Sequence, residues 1–177
     1  PLYVKLVMSL SSLFTLFLVL LTSIGYAQES IQVLFVGNSL TYYNELPTLV
    51  EKEAAQKGFS IITTTISKPN YAIIDHLNDG EVQKGLATKA CDYVIVQQGP
   101  SSQAEGRAML INDGRTLKQL CDKNGAKLCF FMVWSSLNYY STFDDVIKSH
   151  DMAAKENNAI LIPVGEVWKE HFDTTKD

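Results

Sequence analysis

Apolar and polar positions alternate between two rhythms along the chain. Ile31 to Val36 is a short run of mostly branched apolar residues, the pattern of a strand covered on both faces. Leu46, Leu49, Val50 and Ala54 then recur at helical spacing, with Pro47 suited to a first turn and Gly58 to a C-terminal stop. Phe59 to Ile66 is rich in Ile and Thr and predicts a second strand, which Lys68-Pro69-Asn70 breaks. A short helix is predicted over Glu81 to Lys89, with Asp79 as its cap, and a buried strand over Asp92 to Val96. Ser102-Gln103-Ala104-Glu105 reads as a capping box. It opens a helix with Leu110, Gly114, Leu117 and Cys121 on one face and a stop at Asn124-Gly125. Lys127 to Trp134 predicts a strand, Thr142 and Asp145 start a helix reaching Asn157, Ile160 to Val164 gives a last short strand, and a final helix starts near Gly165.

Strands alternate with helices about five times, which is the order of a parallel sheet with helices on both faces. No internal repeat, low-complexity tract or linker divides the chain, so one domain is expected. Ligands of such sheets bind beyond the carboxyl ends of the strands. Three stretches fall at that edge: Gly37 to Thr41, Pro69 to Ile73 and Gln97 to Ser102.

The first residues stand apart from this pattern. Lys5 is the only charge before Glu29, and Leu6 to Ile24 holds only apolar or small hydroxyl residues. Gly25-Tyr26-Ala27 then places small residues three and one before a cut. Residues 1–27 read as a signal peptide cleaved after Ala27, giving a secreted or periplasmic protein, and residues 28–177 as the domain. The rival is an uncleaved anchor, since the apolar stretch is about long enough to span a bilayer. Any membrane association is expected through this segment alone.

Of the 177 residues, 46% are hydrophobic and 19% charged, enough for a full core. Without residues 1–27 the chain has 14 basic residues, because only Lys5 is lost from 15, against 19 acidic ones. A mildly acidic chain without a basic run argues against nucleic acid as a partner. Cys91, Cys121 and Cys129 form no CxxC, and an odd count cannot pair completely. They read as buried small apolar residues. His76, His150 and His171 have no metal-ligand spacing, and neither a metal nor a cofactor is expected.

The chemistry gathers at the turn after the first strand. A strand running straight into a turn and a helix exposes one side chain at the sheet rim, beside backbone N–H groups left free at the helix start. If that side chain is Ser39, its hydroxyl and an oxyanion-stabilising N–H share one place, the logic of a strand-turn-helix nucleophile. Gly37 lets the backbone turn without a Cβ clash. On these residues alone, Asn38 and Ser39 serve equally well as simple helix caps.

Phe35-Val36-Gly37-Asn38-Ser39-Leu40-Thr41 resembles the first sequence block of the SGNH hydrolases, also called GDSL esterases and lipases, with Asn38 where many members have Asp. The resemblance implies a three-layer α/β/α sandwich with a parallel, flavodoxin-like sheet. It also implies ester hydrolysis through an acyl-serine, with Ser39 as nucleophile and its own N–H in the oxyanion hole. The second block of that family carries a glycine. Lys68-Pro69-Asn70-Tyr71 stands there without one, and Asn70 is the best substitute because Asn tolerates the left-handed conformation. The third block supplies a side-chain amide. Here Val96-Gln97-Gln98-Gly99 is similar to a branch of carbohydrate acetylesterases with a Gln-Gly pair, which points to Gln98 as oxyanion donor and Gln97 close behind. One such donor is typically worth ~3 kcal/mol. Asn38, Gln97, His76 and Trp134 are candidate substrate contacts, with core packing the plainer reading for Trp134.

The last block, Asp-x-x-His, supplies the base and its orienting acid. That spacing does not occur in the chain: His76 follows Asp75 early, His150 precedes Asp151, and His171 lies in the wrong order with Asp173. The expectation is a chain truncated before that block, without its catalytic Asp and His and inactive as it stands. The functional expectation is therefore an esterase of small acyl esters, such as carbohydrate O-acetyl groups. A non-catalytic ligand-binding module on the same fold is the alternative, and a phosphate- or flavin-binding loop at Gly37 to Thr41 or an anchored structural protein are further rivals.

Overall fold

The computed structural model describes residues 30–175, so the expected signal peptide lies outside the described residues. Five parallel strands form one sheet: β1 (Ile31–Gly37), β2 (Ile61–Ser67), β3 (Tyr93–Val96), β4 (Lys127–Phe131) and β5 (Ile160–Ile162), in the order β2-β1-β3-β4-β5. The helices are α1 (Ser39–Tyr42), α2 (Leu46–Gln56), α3 (Ile73–Asp79), α4 (Glu81–Thr88), α5 (Ala104–Lys123), α6 (Phe143–Glu156) and α7 (Val164–Thr175).

Residue type sets the place of each strand. β1, β3 and β4 are almost wholly apolar, and their Val36, Val94, Val96, Leu128 and Phe130 are at most 1% exposed. Burying each such side chain contributes about 1.5–3 kcal/mol. β2 reads Ile-Ile-Thr-Thr-Thr-Ile-Ser and sits at the sheet edge, where Thr and a partly exposed Ile62 meet solvent. Leu34, Val36, Val94, Val96, Leu128 and Phe130 turn to one face and form the main core with α3, α4, α5 and α6. α2 covers the opposite face of β2: its Glu51 accepts hydrogen bonds from Thr63 N (2.6 Å) and Thr63 Oγ1 (2.7 Å), and Thr63 pairs in register with Val33, not with the core-facing Leu34. The architecture is a three-layer α/β/α sandwich.

Close approach explains one glycine. A Cβ on Gly114 of α5 would lie 2.5 Å from Phe130 Cζ, so the missing side chain makes room for the ring.

Several boundaries differ from expectation. α3 was not anticipated: its cap is Ala72, whose N–H is taken by the Asp75 carboxylate at 2.8 Å. Ser102 does not cap α5. The chain turns one residue earlier, at Ser101 (φ 57°), and Gln103 becomes the N-cap without a side-chain hydrogen bond. Thr142 precedes α6 but its hydroxyl donates to Tyr139 O (2.8 Å) and pairs with Ser135 Oγ (3.0 Å). β4 stops at Phe131, short of Trp134, although Met132 N still reaches Ile162 O at 3.0 Å. Asp79 is the last residue of α3 and the N-cap of α4 is the left-handed Gly80 (φ 77°), although the Asp79 carboxylate still accepts from Glu81 N at 3.1 Å.

Candidate active site

The strand order reverses between β1 and β3: from β1 the chain crosses to β2 on one side and then returns to β3 on the other. The crevice outside the carboxyl ends of β1 and β3 is where open α/β sheets bind ligands. Gly37 to Thr41 and Gln97 to Ser102 both open onto it.

Ser39 is the first residue of α1 and half-buried. Its N–H therefore stands outside the i→i−4 ladder, and its hydroxyl makes no hydrogen bond among the described residues. Asn38 is the N-cap. Its Oδ1 accepts from Leu40 N at 3.1 Å, and its Nδ2 donates to Tyr71 O at 3.1 Å. An aspartate at 38 could cap but could not donate, so the amide is what joins this turn to the loop after β2.

That loop is a tight turn. Tyr71 N donates to Lys68 O (3.3 Å), Pro69 follows Lys68, and Asn70 is left-handed at φ 62°. This is the sequence and geometry of a type II turn, with Pro then a residue at positive φ. Asn70 is exposed at the rim. Lys68 beneath it is held above its ordinary value of 10.5 by hydrogen bonds to Asp79 (2.8 Å) and Glu81 (3.0 Å).

The two glutamines have different jobs. Gln97 Nε2 donates to Asn38 Oδ1 (2.8 Å) and Thr41 Oγ1 (2.9 Å), which uses both of its hydrogens. Gln97 is thus a buried clamp on the turn, and its Oε1 has no partner among the described residues. The Asn38 side chain is held by Leu40, Gln97 and Tyr71, with one Nδ2 hydrogen left over. Gln98 Oε1 accepts from Ile73 N (3.2 Å), and its Nε2 donates one hydrogen to Ser101 Oγ (3.1 Å), leaving a second hydrogen on the amide. Thus 38 is tied to 71, 97 to 38 and 98 to 73, and all three rim stretches become one unit. Thr41 and Tyr71 complete it. Their backbone and hydroxyl contacts carry no local sequence signal.

His76 lies under this unit, not in it. It is 1% exposed, its Nε2 sits 2.8 Å from Gly37 O, and its ring meets Tyr71 with centroids 4.9 Å apart. A direct contact to substrate, expected from its place after the second block, is not made from that position. His150 is buried inside α6, with Nδ1 2.8 Å from Val146 O, and burial pushes its pKa below the ordinary 6.5. His171 is on α7, edge-on to Trp168. None of the three hydrogen-bonds Ser39.

Beside the turn lies a cleft of about 590 Å³, walled by Leu40, Ser101, Gln103, Trp134 and Tyr139 among others. Trp134 is half-buried, packs on Trp168 with the rings tilted by 32° and their centroids 5.4 Å apart, and lines the cleft. It therefore serves both packing and cleft wall. Among the described residues no group of three or more His, Cys, Asp or Glu could hold a metal ion, and no helix is long and apolar enough to cross a membrane.

No family model and no curated protein matches the sequence. Solved structures do. A protein from Slackia heliotrinireducens assigned as an SGNH hydrolase superposes with TM-score 0.68 at 18% identity, over 80% of this chain and 83% of that one. The chain has the SGNH-hydrolase fold. The psychrotrophic esterase EstA from Pseudoalteromonas, in a structure inhibited by monoethylphosphonate, matches with TM-score 0.58 at 14% identity over 74% of this chain and 75% of that one. A variant of Axe2, an acetyl-xylooligosaccharide esterase from Geobacillus, gives 0.58 at 14% identity over 81% and 80%.

Proposed function

We propose that this chain is a serine esterase of SGNH type, acting on small acyl esters through an acyl-Ser39 intermediate. The observation that carries the reading is the placement of Ser39: first residue of a helix, at the switch point of the sheet, on a turn braced by the two other rim loops. In this reading Ser39 Oγ attacks the ester carbonyl carbon, and the C=O electron pair moves to oxygen. The oxyanion is met by the Ser39 N–H, the Asn70 N–H and the spare hydrogen of Gln98 Nε2. Collapse of the intermediate expels the alcohol, and water then releases the acid and frees the serine. The hydroxyl proton needs a base, and no histidine of the described residues is placed beside Ser39 to take it. None of the described residues is assigned the role of that base.

Carbohydrate O-acetyl groups are the substrate class best supported. The Gln97-Gln98-Gly99 stretch, the Trp134 and Tyr139 walls and the serine hydroxyls of the cleft suit a sugar ester, and one structural neighbour is an acetyl-xylooligosaccharide esterase. Secretion or a periplasmic location, through cleavage after Ala27, completes the proposal.

The decisive experiment is hydrolysis of p-nitrophenyl acetate by the full-length protein and its Ser39→Ala variant. Loss of turnover with Ser39→Ala, together with a phosphonate adduct on Ser39 in the parent, supports the assignment; an unchanged rate rejects it. A non-catalytic binding module is the second reading, favoured by the lack of a histidine at Ser39. It predicts acetylated-sugar binding with neither turnover nor a phosphonate adduct.

A further inference from the structure

We propose that His76 is a positioning residue for Ser39, acting through the Gly37 carbonyl. The inference rests on the esterase reading above. Gly37 O can only accept, so the His76 ring must carry its proton on Nε2 to make the 2.8 Å contact. Nδ1 is then a bare lone pair, buried and without a partner. Buried polar atoms are normally paired, so a ring of this kind is a poor choice for filling space. What it supplies in return is a grip on the turn.

Gly37 O is the last carbonyl of β1, and it also accepts from Lys68 N at 3.2 Å. The two donors occupy both of its lone pairs. Because the peptide group is planar, fixing this carbonyl fixes the Asn38 N–H on its other edge and the direction in which the chain leaves the strand. Ser39 is one residue further on. Gln97 holds the same turn by the Asn38 side chain, so backbone and side chain of the turn are gripped from two separate elements, α3 and the end of β3. The Tyr71 ring packs on His76 at an interplanar angle of 60° and keeps it in place.

Two variants of the full-length protein separate this role from simple packing. His76→Phe keeps a ring and removes the donor, whereas His76→Gln carries an N–H to about the position of Nε2. With p-nitrophenyl acetate, His76→Phe should lower kcat about tenfold or more with KM within about twofold, because a misplaced reacting group costs rate before it costs binding. His76→Gln should return kcat to within about threefold of the parent, since it restores the hydrogen bond. Phosphonylation of Ser39, followed by intact mass, should slow and recover in step. An unchanged kcat in His76→Phe, alongside an inactive Ser39→Ala, overturns the positioning role and leaves the esterase reading standing. Full turnover by Ser39→Ala overturns both. If His76→Phe does not fold, proton–nitrogen NMR of the parent decides. A proton on Nε2 with bare Nδ1 is expected, and a proton on Nδ1 would remove the donor and end the proposal.

Discussion

Gln97 Nε2 sits 2.8 Å from Asn38 Oδ1 although 59 residues separate the two in sequence. The residue that leaves β3 thus sets the side chain that opens the turn after β1. Both residues are less than a tenth exposed, so a lost partner is costly to replace.

Exchanging Gln97 for Glu tests that relationship with almost no change of shape. The carboxylate would face Asn38 Oδ1 as an acceptor against an acceptor, although the Thr41 hydroxyl can turn to donate to it. We expect Gln97→Glu to lose about 1–3 kcal/mol or more of stability at pH 7, the range for a buried partner left unsatisfied. Part should return in mild acid, where a protonated carboxyl can donate. Urea unfolding at the two pH values measures this, and equal stability of parent and variant at pH 7 would rule the clamp out.

Asn38→Asp addresses the other arm of the same side chain. The new carboxylate oxygen would replace the donor that lies 3.1 Å from Tyr71 O. Loss of about 1–3 kcal/mol is expected from two opposed acceptors, even though Asp is common at this place in proteins the turn resembles. Thermal unfolding should show a lower Tm; an unaltered or higher one would mean that the Asn38–Tyr71 contact contributes nothing.

Gly37→Ala should be costly for a steric reason. A Cβ there would meet Thr41 Oγ1 and come within 2.6 Å of Gln97 Nε2. Relief requires moving the clamp itself. Overpacking of this kind typically costs about 1–3 kcal/mol. The variant should also lose most Ser39 phosphonylation, read by intact mass, and full labelling would show that the turn tolerates displacement.

Glu51 gives a pH signature away from the site. The Thr63 hydroxyl, and then its N–H, hold the Glu51 carboxyl below its ordinary value of 4.5. A depressed folded-state value means stabilisation that is present above pH 4.5 and lost as pH falls through the lower folded value. Glu51→Gln should flatten that acid limb in a Tm-against-pH series, lying below the parent near neutrality, where the ionised carboxylate stabilises, and approaching it in acid. An identical acid limb in both proteins would dismiss the contact.

The cysteines are free among the described residues. Burial pushes the Cys121 thiol up to about 12 and Cys129 up to about 11, and it raises Cys91, which is only half-buried, to a lesser extent. Thiolate is the reactive form. Native protein at pH 7 should therefore take up iodoacetamide slowly, at Cys91 first, and label at all three only when unfolded. Peptide mass spectrometry reads the order, and fast native labelling of Cys121 would contradict the packing.

Much of this layout is legible in residue order, for reasons particular residues show. The apolar runs of β1, β3 and β4 declare strands covered on both sides, and the threonines of β2 suit an edge. Asn70 in a Pro-Asn turn announces its left-handed backbone. α3 was hidden because Ile73–Asp79 is short, mixes Asp75 and His76 with three large apolar residues, and lacks a Ser, Thr or Gly cap. Ser102 misled because its capping pattern is local, whereas the left-handed Ser101 moved the helix start. The site was legible as three separate rim stretches. Their joining was not, because the contacts 38 to 71, 97 to 38, 98 to 73 and 76 to 37 pair residues that no local pattern links.

Those joins have a bearing on synthesis. The serine emerges from the ribosome early, but the residues that brace its turn and the loop beside it, His76, Gln97 and Gln98, follow at least 37 positions later. Until residue 98 has cleared the exit tunnel the contacts from 97 to 38 and from 98 to 73 cannot form, so the turn that carries Ser39 takes its final shape only after three of the five strands have been made.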